Sequence, residues 1–419
     1  MAIHDQSRMK YLLVIGDGMA DNAVEELGGK TPLQAAKHPT IDRLAAKGIV
    51  GSVINCPKPV PAGSETAILS IFGCDPRRYF SGRSPMEAAA LGIVLREGDC
   101  CYRCNLVSMD EGDMPYEEKR ILSHSAGSIS GEDALKTIRA LTGDPEFSAA
   151  LSKYNMELPL VPTFRPLAVE HNGDFSGIRF IPPHDHLGEK CGPLLPSGNP
   201  RAEKFVELQK LASRVLEHHP VTEARRASGK MGANGIWFWA EGTATTLPDF
   251  EQEYGHAGAV VSAVPICHGI GVLRGLEKVE VEGATGEIDT NFEGKLEATW
   301  QKINEYDFVC LHLEAPDECT HNGDLPGKLQ AIEWLDSRLL APLLARMDAA
   351  GMVYRVLLLS DHKTLTATRG HDGDPVPYLI YDSRKDTQFG YGYDETTGAM
   401  GDCLPDGSVL MKKLFEREI

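Results

Sequence analysis

Lys10-Tyr-Leu-Leu-Val-Ile15, running straight into Gly16-Asp17-Gly18, reads as a buried strand that stops at an acidic turn. Unbroken apolar character, without polar alternation, suits a strand covered on both faces, as in parallel sheets flanked by helices. The pattern recurs. Phe308 to Leu313 and Val353 to Leu359 are aliphatic runs that end in acidic and histidine-bearing segments, and Gly258 to Val264 reads as a further strand. Between the runs lie helical patterns. Thr31 to Gly48 has Pro32 near its start, apolar positions at Leu33, Ala36, Ile41 and Leu44, and Gly48 as a stop. Ser64 to Phe72 is apolar and helix-compatible, and Leu329 to Met347 reads as one long amphipathic helix. Gly51 to Asn55 is a short strand. Strands alternating with helices predict an α/β fold, a mostly parallel sheet sandwiched by helices.

Residues 110–190 differ. They are rich in Gly, Pro, Ser and His, as in Ser123-His-Ser-Ala-Gly-Ser-Ile-Ser130, and predict a smaller inserted α+β domain between catalytic segments 1–109 and 191–419. A length of 419 residues agrees with two or three domains. Internal repeats and low-complexity tracts are absent from the sequence.

Composition narrows the function. With 42% hydrophobic and 24% charged residues the chain is globular, and a net charge of −18 argues against a nucleic-acid or membrane-surface binder. It leaves room for an anionic substrate, because a few arginines and bound cations can make a positive pocket in an acidic protein. No run approaches the roughly 18 apolar residues of a membrane helix. Met1 to Lys10 is polar and lacks a signal-peptide core, so the expected location is the cytoplasm. The ten cysteines are scattered, and Cys267 and Cys310 sit in apolar runs. Cys101 and Cys104 form a CxxC without a second ligand pair, which reads as core thiols rather than a zinc knuckle.

Four stretches carry chemistry. Gly16-Asp17-Gly18 lacks the third glycine of a dinucleotide fingerprint, since position 21 is Asp. Asp17 instead stands where open α/β sheets place ligands, although a plain strand-ending turn reads the same way. In Pro61-Ala-Gly63-Ser64-Glu65-Thr66-Ala67, Ser64 opens a helix whose N-terminal amides favour phosphate, or simply caps it. In Glu314-Ala-Pro-Asp317-Glu-Cys-Thr-His321, Asp317 and His321 lie one helical turn apart, with Glu314 and Glu318 as solvated neighbours. Val356-Leu-Leu-Leu-Ser360-Asp361-His362-Lys363 drives an aliphatic strand into Asp-His, and Gly370-His371-Asp-Gly-Asp-Pro375 comes next. Such groups can build two metal sites about 3.5–4 Å apart, the spacing of two-metal phosphoryl chemistry. Serine bound to a metal becomes a nucleophile without a neighbouring base.

The set Asp17, Ser64, Asp317, His321, Asp361, His362 and His371 resembles the alkaline phosphatase superfamily, and more closely its archaeal-type cofactor-independent phosphoglycerate mutases. Ile15-Gly-Asp-Gly-Met-Ala-Asp21, Gly63-Ser-Glu-Thr-Ala67, Ser81-Gly-Arg-Ser-Pro-Met-Glu-Ala88 and Phe180-Ile-Pro-Pro-His-Asp185 extend the likeness, which runs from about Lys10 to the C-terminus. The resemblance implies an alkaline-phosphatase-like fold and two divalent ions, Mn²⁺, Mg²⁺ or Zn²⁺. One would be held by Asp17, Ser64, Asp361 and His362, the other by Asp317, His321 and His371. It implies a small phosphorylated substrate and a phosphoserine at Ser64, formed from 3-phosphoglycerate and returned to the other hydroxyl without 2,3-bisphosphoglycerate. The insert would hold glycerate and exclude water. Arg83, Arg103 and Arg179 would clamp carboxylate and phosphate, with His124 and His184 as acid/base or orienting groups. Ile266-Cys-His268-Gly-Ile-Gly271 departs from the family pattern, where a basic residue, often lysine, is expected at 268, and the acceptor contacts are where relatives would diverge. The alternative is a related phosphotransferase or phosphatase acting on another small phosphometabolite, homoserine phosphotransfer among them.

Overall fold

A computed structural model describes residues 9–416; the polar stretch up to residue 8 lies outside them. The chain divides into two compact units, residues 1–80 with 246–419, and residues 81–245. It enters the first unit with β1 (Lys10–Gly16) and β2 (Ile49–Val53), then builds in the second β3 (Cys100–Met109), β4 (Ile121–Ser123), β5 (Met156–Glu157), β6 (Leu167–Glu170) and β7 (Gly235–Thr243). It returns to the first with β8 (Gly258–Val261), β9 (Glu277–Val279), β10 (Phe308–Leu313), β11 (Tyr354–Leu359), β12 (Lys363–Leu365), β13 (Gly370–Asp372), β14 (Val376–Asp382) and β15 (Cys403–Leu404).

The first unit is built on an eight-stranded sheet in the order β15-β2-β14-β11-β1-β10-β8-β9. The five strands from β11 to β9 run parallel, and only β14 lies antiparallel to its neighbours. Every residue of β10 and β11 is buried, as expected of strands covered on both faces. Register aligns the strand ends. Ile15 stands opposite both His312 and Leu359, so β1, β10 and β11 end side by side and release their next residues at one sheet edge.

Two helical patterns resolve in more detail than the periodicity predicts. The 31–48 segment is two helices, Pro32–Ala35 and Pro39–Lys47, because Pro39 forces the preceding His38 out of helical geometry. The 329–347 segment belongs to a longer helical run, Leu325–Trp334 and Ala341–Ala349 joined by a π-helical stretch, Leu335–Leu340. That wide turn carries Asp336, whose carboxylate accepts the Thr40 and Ile41 N–H groups at 2.8 and 2.9 Å and so caps the Pro39–Lys47 helix. The short strand sits at Ile49–Val53 rather than 51–55.

The second unit takes in 81–245, wider than the 110–190 expected. Its centre is β3, which pairs antiparallel with β4, β6 and β7. Strand pairing therefore carries the unit outward past the composition shift at 110 on one side and 190 on the other. Helices Gly131–Gly143, Pro145–Lys153 and Glu203–Leu216 cover the sheet over a core that includes Tyr102, Phe147, Phe205 and Phe238. Cys101 and Cys104 point to opposite faces of β3, into separate apolar clusters, so they are packed thiols and cannot pinch one metal. Among the described residues no helix is long and apolar enough to cross a membrane.

Candidate active site

The shared edge of β1, β10 and β11 gathers the acidic groups. Asp17 follows β1 directly, and its N–H donates to Leu313 O at 2.9 Å. Asp361 and His362 follow β11, and the Gly18 N–H donates to Asp361 Oδ1 at 3.0 Å. Ser64 is the first residue of the Ser64–Ile71 helix, entered through Gly63 in extended backbone. Its hydroxyl lies 3.3 Å from Asp17 Oδ2 and 3.2 Å from His362 Nε2. Beside this group, the short helix Ala315–His321 presents Asp317 and His321 one turn apart, and the β12–β13 hairpin presents His371. His321 Nε2 stands 3.1 Å from Asp317 Oδ2 and 2.9 Å from His371 Nε2. His371 Nε2 is 3.3 Å from Asp317 Oδ1.

These residues fit divalent cations. Asp17 Oδ1 and Asp361 Oδ2 are buried and accept no hydrogen bond among the described residues. His362 Nε2 approaches them at 3.7 and 3.2 Å without hydrogen-bonding geometry. Burying bare carboxylate oxygens is costly unless a cation or donor meets them. The histidines are oriented to match. His321 Nδ1 donates to Arg369 O at 2.7 Å and His362 Nδ1 to Lys363 O at 3.2 Å, which turns each Nε2 toward the carboxylates. Asp17, Asp361 and His362 converge as one possible ligand set; Asp317, His362 and His371 form another. His362 thus lies within reach of both groups.

Electrostatics point the same way. Burial, then the charge of Asp361, pushes the Asp17 carboxyl well up. Burial would also raise Asp317, but hydrogen bonds from His321 and His371 more than offset it and hold that carboxylate ionised. The same bond to Asp317 lifts His321 to about 9. Burial lowers His362. Uncompensated carboxylates beside imidazoles are what a metal's positive charge resolves.

Comparison with known proteins agrees with this chemistry. The pattern of the metalloenzyme superfamily matches residues 9–404. A probable 2,3-bisphosphoglycerate-independent phosphoglycerate mutase of Geobacter sulfurreducens is 40% identical over 415 residues, which cover 98% of this chain and 100% of that protein. The chain belongs to that mutase family, within the metalloenzyme superfamily. A 2,3-bisphosphoglycerate-independent phosphoglycerate mutase of Methanosarcina barkeri is 41% identical over 396 residues, covering 94% and 96%. The structure of a Pyrococcus horikoshii protein superposes with a TM-score of 0.78 at 27% identity over 99% of each chain. The cofactor-independent phosphoglycerate mutase of Thermoplasma acidophilum shares the fold, with a TM-score of 0.62 at 24% identity over 97% and 98%.

Within this family member, several groups that the sequence did not single out support the acidic cluster. His312, inside β10, is fully buried with Nε2 2.9 Å from Asp17 Oδ2. Thr364 Oγ donates to Asp317 Oδ1 at 2.5 Å, and Asn55 Nδ2 donates to Asp361 O at 2.8 Å. Lys328, fully buried, donates to Asp21 Oδ2 at 2.9 Å and Thr364 O at 2.7 Å, tying β12 to the turn after β1. A lone histidine in an otherwise apolar strand was a readable signal for His312; the other three carry none.

The second unit gathers four of the five residues expected to bind substrate. Arg103 is buried, holds Glu87 through two guanidinium nitrogens and stacks over Trp239 at 4.7 Å. Arg83, half-exposed, joins the same carboxylate at 3.1 Å. Trp239 Nε1 donates to Asn105 Oδ1 at 2.9 Å, and the His184 ring lies 5.0 Å from Trp239. His124 stands 5.9 Å from His184, and burial lowers its pKa. Arg179 lies outside this group of contacts, exposed where its backbone bridges Ser197. Arg103 therefore has its charge already engaged by Glu87, which suits a wall that orients its neighbours.

Proposed function

We propose that this chain interconverts 3-phosphoglycerate and 2-phosphoglycerate without 2,3-bisphosphoglycerate, through a phosphoserine at Ser64. The observation that carries the reading is Ser64 Oγ, within 3.3 Å of Asp17 and His362 beside two buried carboxylate oxygens that no donor among the described residues meets. One divalent ion is assigned to Asp17, Ser64, Asp361 and His362, and a second to Asp317, His321 and His371. Bound there, the cations would favour the serine alkoxide and neutralise phosphoryl oxygens.

The Ser64 hydroxyl gives up its proton and its oxygen attacks phosphorus as the bond to the glycerate oxygen breaks, and that leaving oxygen takes a proton. The glycerate reorients, its other hydroxyl gives up its proton and attacks the phosphoserine, and Ser64 is restored. His362 orients the Ser64 oxygen. Within residues 81–245, Arg83 and Arg179 are assigned to the substrate's anionic groups, His124 and His184 to proton transfer or orientation, and Arg103 to holding Trp239 and Glu87 in place. That unit would also exclude the water that hydrolyses the intermediate. A reducing cytoplasmic setting is supported by ten cysteines, all unpaired.

The test is to follow metal-loaded protein and 3-phosphoglycerate by ³¹P NMR without added bisphosphoglycerate. Formation of 2-phosphoglycerate is expected, with Ser64→Ala reducing the rate by about 10⁴-fold or more. Free phosphate as the sole product would instead assign a phosphatase, and no turnover by metal-loaded protein would overturn the mutase reading.

A further inference from the structure

Next to Asp17, a buried polar chain runs from β10 to the end of β8, and the reaction above does not use it. His312 is the one charged or strongly polar residue in β10, and its side chain is fully buried. Its Nε2 meets Asp17 Oδ2 at 2.9 Å and its Nδ1 meets Ser262 Oγ at 3.0 Å. Ser262 follows β8, the next parallel strand, and its oxygen already accepts the Val264 N–H at 3.0 Å. The serine hydroxyl proton is thereby free to go to Nδ1, which places the imidazole proton on Nε2, facing the carboxylate. Lys295, also fully buried, donates to His312 O at 2.9 Å and pins the strand at that residue. Burying a lysine, a histidine and a serine together is expensive, and each is spent on the same point of the sheet.

From this geometry we infer that His312 is a positioning residue for Asp17. Held by Ser262, it donates to Oδ2 and fixes the carboxylate rotamer so that Oδ1, which has no partner among the described residues, stays turned toward His362 and Asp361. The inference rests on the reading of Asp17 as a cation ligand. Partners that orient a ligand typically change metal affinity by about 10- to 100-fold when removed.

The test titrates metal-free full-length protein with Mn²⁺ alone by calorimetry, alongside thermal unfolding in EDTA. Asp17→Asn identifies the affected site. His312→Leu should weaken that site by about 10- to 100-fold. His312→Gln, whose Nε2 can still donate to Asp17, should restore most of the affinity. Ser262→Ala should weaken it several-fold, with unfolding in EDTA close to wild type. A purely structural role would lower the unfolding temperature and leave the affinity alone. Should His312→Leu fail to fold, Ser262→Ala and His312→Gln decide, and wild-type affinity in Ser262→Ala overturns the inference. Folded His312→Leu with wild-type affinity, while Asp17→Asn is impaired, overturns it too and leaves the ligand reading standing. Wild-type affinity in Asp17→Asn overturns both.

Discussion

Gly18 shows how tightly single positions are drawn at this site. It adopts a left-handed backbone, φ +61°, between Asp17 and the loop that reaches β12. A Cβ there would stand 2.7 Å from Asp317 Oδ1 and 2.9 Å from Asp317 Cα, and would press on Thr364 Oγ as well. Both the conformation and the contact penalise any side chain. Gly18→Ala is therefore expected to displace Asp317 and weaken divalent-metal binding by at least about tenfold. Mn²⁺ titration of the folded variant checks this; wild-type affinity would show that Asp317 moves without consequence. Asp17, Asp317, His321, Asp361 and His362 were legible because each follows an aliphatic run, where packing offers no reason for Asp or His, and His371, in a Gly/Pro loop, was legible only beside them. His312 escaped because it lies inside such a run and was absorbed into it. Thr364 and Asn55 have no signal in sequence at all, since their value lies in contacts with residues about 50 to 300 positions away.

At the level of elements, the parallel strands were readable from their unbroken apolar character, whereas β14 was not. Val376-Pro-Tyr-Leu-Ile-Tyr-Asp382 contains a proline, which argues against a strand within a sheet, yet Pro377 pairs opposite Ser52 near the strand's start. The helix Pro265–Leu273 carries His268, whose Nε2 donates to Val279 O of β9 at 3.2 Å. Burial first, then the charge of Lys278, lowers His268 to about 4. The neutral ring is thus favoured in the folded chain. Its contribution to stability is complete above the unfolded value of roughly 6.5 and is lost as pH falls from there toward 4. From pH 7 to pH 5 the loss amounts to about 2 kcal/mol. His268→Gln, which keeps the donor and cannot titrate, should flatten this part of the stability profile. Urea unfolding at pH 7 and pH 5 measures it, and an identical pH dependence in the variant would refute the assignment to His268.

For the whole molecule, the change in composition near residue 110 located an insert but not its extent. β3 and β7 lie outside the compositionally distinct segment, and their pairing is a contact between residues more than a hundred positions apart. The consequence is a chain whose chemistry divides cleanly. Asp17, Ser64, Asp317, His321, Asp361, His362 and His371 all belong to residues 1–80 and 246–419, and residues 81–245 have an apolar core of their own. With the cations proposed at these residues, binding is expected to stabilise the first unit by mass action, about 2.7 kcal/mol per bound ion at a free concentration 100 times its dissociation constant. It gives the second unit no such contribution. Hydrogen exchange of the full chain with Mn²⁺ and with EDTA should show this difference. In β1, β10 and β11, amides that exchange through opening of the unit should lose about 100-fold in protection for each ion removed. Those of β3, β6 and β7 should stay within about twofold. Equal loss in both units would mean that they open as one cooperative body. Unchanged protection in β1 and β11 would remove the cations from the carboxylates that the fold brings together.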